Sequence, residues 1–243
     1  MGDARQIVAM GGGGFSMERD NALMDEYVLS LACRERPRVC FLPTASGDAD
    51  HYIVRFYRAF DAGRCEPSHV SLFRRDGGAA DIHEHVLSSD IVYVGGGSVV
   101  SLLGAWRAHG LDTTLRLAWE QGTVMCGVSA GSLCWFASAL SAFHGAPQVV
   151  DGLGLLPYSN CVHFDGERDR EGAFRRHLLD GMCAGYAAED ASALHFCGTR
   201  LSSVVSSRPG ARAYRMRRTD SGRVERRALP ADYLGAPALR LAA

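Results

Sequence analysis

Short apolar runs alternate with amphipathic stretches through the first half of the chain. Gln6 to Met10, Arg38 to Leu42, His69 to Phe73, Ile91 to Val94 and Thr123 to Val128 read as strands. Asp20 to Cys33 carries Leu23, Met24, Tyr27, Val28 and Leu31 on one stripe and predicts a helix capped by Asp20. Tyr52 to Phe60, Ile82 to Leu87, Val99 to His109 and Leu111 to Glu120 have helical spacing too. The run Leu133 to Leu140, after Ala130, is compatible with one more helix. Continuously apolar strands alternating with helices predict an α/β fold, a mostly parallel sheet flanked by helices on both faces. Toward the C-terminus, Ala213 to Arg218 and Arg223 to Leu229 flank Thr219-Asp220-Ser221-Gly222, the pattern of a β-hairpin. With no repeat, low-complexity tract or linker in view, residues 1–243 read as a single α/β domain.

The punctuation of this pattern matters as much as its period. Gly11 to Gly14, Gly95 to Gly97 and the turn at Ser129 each follow a strand directly. In open α/β sheets ligands sit at the carboxyl ends of the strands, so these loops are expected to gather on one edge and form the site.

Composition narrows the function classes. Of 243 residues, 47% are hydrophobic and 22% charged, as in a globular protein with a substantial core. The formal net charge of -1 gives no global reason to expect nucleic acid or an anionic membrane as partner. Arg212, Arg215, Arg217, Arg218, Arg223, Arg226 and Arg227 crowd the hairpin, but acidic residues elsewhere balance them, and a solvated face is expected. The eight cysteines show no C-x-x-C spacing and read as free thiols, mostly buried, rather than as a zinc site. The N-terminus shows neither a secretory leader nor a spanning run, so a cytoplasmic location is expected.

The strongest chemical signal is Gly127-Val128-Ser129-Ala130-Gly131, a G-x-S-x-G between an apolar strand and a helix-compatible run. Small neighbours let the backbone fold sharply and expose the hydroxyl at a helix N-terminus, the arrangement of a nucleophile elbow. An acyl-transfer serine needs oxyanion donors. Ala130 supplies one amide, and Gly95-Gly96-Gly97-Ser98 offers another through Gly96 or Gly97. It also needs a base, and nine histidines are present. His163 stands at a strand end after the serine, and His144 stands in a loop; both remain open, with His163 favoured by its position. The glycine loop Gly11 to Gly14 lacks a clean G-x-G-x-x-G, which argues against a dinucleotide.

Taken together, Val94-Gly95-Gly96-Gly97, Gly127-Val128-Ser129-Ala130-Gly131, Cys161-Val162-His163-Phe164 and the opening Met10-Gly11-Gly12-Gly13-Gly14-Phe15-Ser16-Met17 resemble the peptidase E family of aspartyl dipeptidases, related to cyanophycinase. The resemblance runs from about residue 6 to residue 208. It implies a fold related to class I glutamine amidotransferases, a serine nucleophile at Ser129, a base at His163 and no metal or organic cofactor. Family members place an acid before the strand that follows the histidine; counting back from Ala193-Leu194 puts Asp190 there, with Glu189 the neighbouring alternative. Ser98 stands where the family commonly has asparagine, on the substrate side of the glycine loop. Arg170 is the nearest match to the arginine that recognises a substrate aspartate, with Arg168 and Arg175 close by. The implied activity is a serine-type dipeptidase acting on short peptides, including those with N-terminal aspartate. A cyanophycinase-like hydrolase, an esterase or a non-catalytic binding protein of the same fold are the alternatives. A homodimer is left open.

Overall fold

A computed structural model of the chain describes residues 5–73, 81–166 and 169–235. Its first half follows the alternation of the sequence. β1 (Gln6–Met10) leads through the glycine loop into the single turn α1 (Gly14–Met17) and then α2 (Leu23–Ser30). β2 (Arg38–Leu42), α3 (Asp50–Ala59), β3 (Glu66–His69), α4 (Ile82–Leu87) and β4 (Ile91–Val94) follow. α5 (Val99–His109) and α6 (Leu111–Glu120) precede β5 (Val124–Val128) and the single turn α7 (Ala130–Leu133). The second half is richer in strands: β6 (Phe136–Ser141), β7 (Gln148–Asp151), β8 (Leu156–Cys161), α8 (Arg170–Leu179), β9 (Gly185–Ala188), β10 (Ser192–Cys197), β11 (Arg200–Ser206), β12 (Ala213–Arg218), β13 (Val224–Leu229) and β14 (Asp232–Tyr233).

These strands form two sheets rather than the one expected. The eight-stranded sheet has the order β14-β11-β10-β1-β5-β4-β2-β3. Its β1-β5-β4-β2-β3 half is parallel, whereas β10 runs antiparallel to β1, and β11 to β10. The six-stranded sheet has the order β13-β12-β9-β8-β6-β7, with β12 and β13 paired antiparallel. α1, α2 and α3 pack on one face of the large sheet around Val8, Phe41, Tyr93 and Cys126. α4 to α7 and the inner face of the second sheet cover the other, around Trp106, Trp135, Phe136 and Phe196. α8 lies on the outer face of the second sheet, over Cys161, Ala187 and Met216.

Three local expectations shift, each for a visible reason. α2 starts at Leu23, not at Asp20, because the Asn21 side chain accepts the Leu23 amide at 3.3 Å. β3 ends at His69, short of Phe73, because the Asp48 carboxylate captures the Leu72 and Phe73 amides at 2.6 and 2.8 Å. The helix expected over Leu133 to Leu140 stops after one turn. The Cys134 and Trp135 carbonyls accept the Leu153 and Leu156 amides, which draws Phe136 onward into the second sheet.

An aromatic cluster fixes the loop edge of the large sheet. Phe15 meets Phe41, Tyr52, Phe56, Phe60 and Tyr93 with ring centroids 5.1 to 5.8 Å apart. Such pairs each add on the order of 1 kcal/mol beyond the area they bury. They anchor the segment after the glycine loop to α3, which carries Tyr52 to the same edge. Five cysteines are buried, but Cys33 and Cys183 are exposed, and none of the eight is in a disulfide. Among the described residues, no helix is long and apolar enough to cross a membrane.

Candidate active site

Ser129 lies between β5 and α7 with φ 56 and ψ -114, a conformation that costs a non-glycine residue on the order of 1–3 kcal/mol. The surroundings hold it there. Its amide donates to the Met10 carbonyl at 3.3 Å, and its carbonyl accepts the Ser132 and Leu133 amides at 2.9 Å. A Cβ on Gly127 would run into the Gly131 carbonyl, and one on Gly131 into the Val94 carbonyl. The G-x-S-x-G spacing is therefore a packing requirement of the turn.

His163 directly follows β8 and its neighbour Val162. Its amide donates to the Gly11 carbonyl at 3.3 Å, which ties the second sheet to the glycine loop. His163 Nε2 lies 3.0 Å from Ser129 Oγ, and Nδ1 lies 2.6 Å from Asp190 Oδ1. A carboxylate only accepts, so Nδ1 carries the proton and Nε2 is left to accept from the serine hydroxyl. The two side chains are shielded but not sealed, His163 being 18% exposed and Asp190 24%. Asp190 sits in the turn from β9 to β10, where its amide donates to Asp165 Oδ1 at 2.9 Å and its carbonyl accepts from Arg208 at 3.2 Å.

Glu189 points elsewhere. Its carboxylate accepts the Arg212 amide at 2.8 Å and the Tyr214 hydroxyl at 2.6 Å, tying the turn to β12. Gly96, expected as an oxyanion donor, gives its amide to the Tyr52 hydroxyl at 3.1 Å. The Gly97 and Ala130 amides have no hydrogen-bond partner among the described residues, and both residues line the pocket at Ser129. That pocket has a volume of about 210 Å³ and includes His163, Ser141 to Phe143 and Arg170. Arg170 opens α8, is 4% exposed, and donates to the Leu140 carbonyl at 3.2 Å. Ser98 is not among the residues lining this pocket: it caps α5 by accepting the Ser101 amide at 3.1 Å. Arg175 turns away to Glu171 and the Val224 carbonyl, and Arg168 lies outside the described residues. A larger hollow of about 640 Å³ between α1 and α3 contains none of Ser129, His163 and Asp190.

The other histidine left open, His144, lies 2.7 Å from Ser98 Oγ through its Nε2 and has no bond to Ser129. Two contributors have no signal in the sequence. Tyr52 reads as one more apolar position of an amphipathic helix, yet its hydroxyl joins Gly96 to Ser16, 2.8 Å away. Asp165 reads as a polar loop residue, yet it holds the Asp190 backbone. Among the described residues, no group of histidine, cysteine and acidic side chains is arranged to hold a metal ion.

The sequence and the fold have parallels. Over 232 residues, 95% of this chain and all of its relative, the sequence is 47% identical to the uncharacterized peptidase YgaJ of Bacillus subtilis strain 168. The fold matches a crystal structure of a peptidase from an acI-B1 Actinobacterium, with a TM-score of 0.69 at 19% identity, covering 93% of this chain and 94% of that one. It also matches a protein of Listeria monocytogenes EGD-e assigned as a peptidase E, with a TM-score of 0.61 at 15% identity, covering 83% and 98%. Residues 7–204 match the model of peptidase family S51, a span that holds the glycine loop, the serine elbow, His163 and Asp190, and the chain belongs to that family.

Proposed function

We propose that the chain is a serine peptidase of short peptides, with Ser129 as nucleophile, His163 as base and Asp190 as the group that orients the imidazole. The observation that carries this reading is the continuous hydrogen-bonded run from Ser129 Oγ through His163 to Asp190, at 3.0 and 2.6 Å. His163 Nε2 takes the hydroxyl proton as Oγ attacks the peptide carbonyl. The Gly97 and Ala130 amides receive the negative charge that develops on the carbonyl oxygen. His163 then gives its proton to the leaving amine, and the C–N bond breaks to leave an acyl-serine. Water, deprotonated by the same imidazole, attacks the ester and releases the acid and the free serine. Asp190 stabilises the imidazolium at both stages.

Two features support a short, acidic substrate. A pocket of about 210 Å³ is small beside the ~300–1,000 Å³ of common ligand sites. Arg170 lines it, and the planar fork of an arginine suits a carboxylate. Hydrolysis of Asp-Leu and Ala-Leu by the wild type, Ser129→Ala and Arg170→Ala tests the reading. Ser129→Ala is expected to lose several orders of magnitude in rate while staying folded. Arg170→Ala is expected to lose activity mainly on Asp-Leu, by about 30-fold or more, as when one partner of a buried charged contact is truncated. Near-normal turnover by Ser129→Ala removes the nucleophile, and an unchanged Asp-Leu to Ala-Leu ratio removes Arg170 from recognition.

A further inference from the structure

The turn between β6 and β7 is built over the pocket and fastened at two points. At its start, Leu140 is held by Arg170, whose Nη1 donates to its carbonyl. Ser141, Ala142 and Phe143 then line the pocket beside Gly97, Ser129 and Ala130. The Gly145 amide donates to the Ala142 carbonyl at 3.2 Å, so Phe143 and His144 occupy the two central positions of a tight turn. At the tip, His144 Nε2 lies 2.7 Å from the hydroxyl of Ser98, the buried cap of α5. Ser98 follows Gly97 directly, so this one bond joins the turn to the loop that carries a proposed oxyanion amide. The Phe143 ring meets the His144 ring edge-on at 5.0 Å and is 60% exposed, a large apolar surface at the mouth of a polar site.

We propose that Ala142 to His144 form the specificity wall of the pocket: Phe143 packs against an apolar side chain of the substrate, and His144 is a positioning residue that latches the wall to Ser98. This rests on the reading of Ser129 as the nucleophile. The substrate class is then a short peptide with an aliphatic or aromatic residue next to the acyl-enzyme-forming one.

The test compares dipeptides ending in Leu and in Gly, sharing an N-terminal residue the wild type accepts, on Phe143→Ala, His144→Ala and His144→Gln. Labelling of Ser129 by a small fluorophosphonate is measured on the same preparations. Phe143→Ala and His144→Ala are expected to raise KM for the Leu substrate by about ten-fold, the size of losing an apolar pocket contact. The Leu to Gly ratio of kcat/KM is expected to fall by about the same factor, and the labelling rate shows that Ser129 still reacts. His144→Gln, whose amide can also donate to Ser98, is expected to recover most of the KM. An unchanged Leu to Gly ratio in both alanine variants, with normal labelling, overturns the wall. A fall in kcat alone, equal for both substrates, also overturns it, because it assigns the turn to the chemistry. A wild type that takes no label overturns the nucleophile reading itself, and the wall with it.

Discussion

Asp190 and Glu189 are adjacent and chemically alike, yet their surroundings separate them completely. Asp190 meets the imidazole, whereas Glu189 spends both oxygens on Arg212 and Tyr214. The two isosteric substitutions should therefore fail in different ways. Asp190→Asn is expected to cut kcat by about a thousand-fold or more, since an amide stabilises the wrong tautomer, and to leave the fold intact. Glu189→Gln is expected to keep kcat within several-fold and lose about 1–3 kcal/mol of stability, the scale of charged hydrogen bonds. Kinetics and urea unfolding on both variants check this, and a crippled but fully stable Glu189→Gln would reverse the assignment. Counting back from Ala193-Leu194 along the family resemblance favoured Asp190 and kept Glu189 as the alternative. What the sequence could not carry was the reason, because the partners that occupy Glu189 lie on β12 and its preceding loop, more than twenty positions away.

α2 contributes to the site without touching it. It presents Asp25, 2% exposed, to the glycine loop, where the Phe15 amide and the Tyr93 hydroxyl face its carboxylate and Arg64 and Glu18 act from further away. Burial outweighs these and raises its pKa to about 7. The folded-state value stands above the unfolded one, so between pH 4 and 7 the folded protein holds a proton that the unfolded chain releases. Stability then falls as pH rises through that window and levels off above about 7. From pH 5 to pH 8 the loss from this group is on the order of 3 kcal/mol. Asp25→Asn is expected to remove that slope in urea unfolding; parallel pH dependences for wild type and variant would contradict it. β1, β2, β4 and β5 and the helices α3 to α6 were legible because their apolar periods agree with their local propensities, whereas β3, Glu66-Pro67-Ser68-His69, has no apolar period and was read three residues too late. β6 was not legible, because Leu133 to Leu140 satisfies a helical period and only the pairing of Phe136 with Leu156 makes its second half a strand.

Across the whole molecule, the site is the meeting point of two sheets. Ser129 comes from the large sheet and His163 from the end of a strand in the small one, while Asp190 sits in the turn that joins β9 of the small sheet to β10 of the large sheet. The glycine loop is the clamp between them: Gly11 accepts the His163 amide and Gly12 accepts the Ala191 amide. A side chain at Gly12 would strike the Asp190 carboxylate, so a glycine there serves the close approach of the loop to Asp190 and His163 and needs no phosphate to explain it. The second sheet was only partly legible: the β12–β13 hairpin and a strand before His163 show in the sequence, but β6 reads as helix and nothing local says that β12 pairs with β9 rather than extending the large sheet. The measurement that bears most directly on the whole account is mass spectrometry of the protein after a fluorophosphonate. A single adduct on the peptide containing Ser129, absent in Ser129→Ala and strongly slowed in His163→Ala, is the expected result. An unlabelled wild type, or an adduct on another residue with Ser129 untouched, would contradict it.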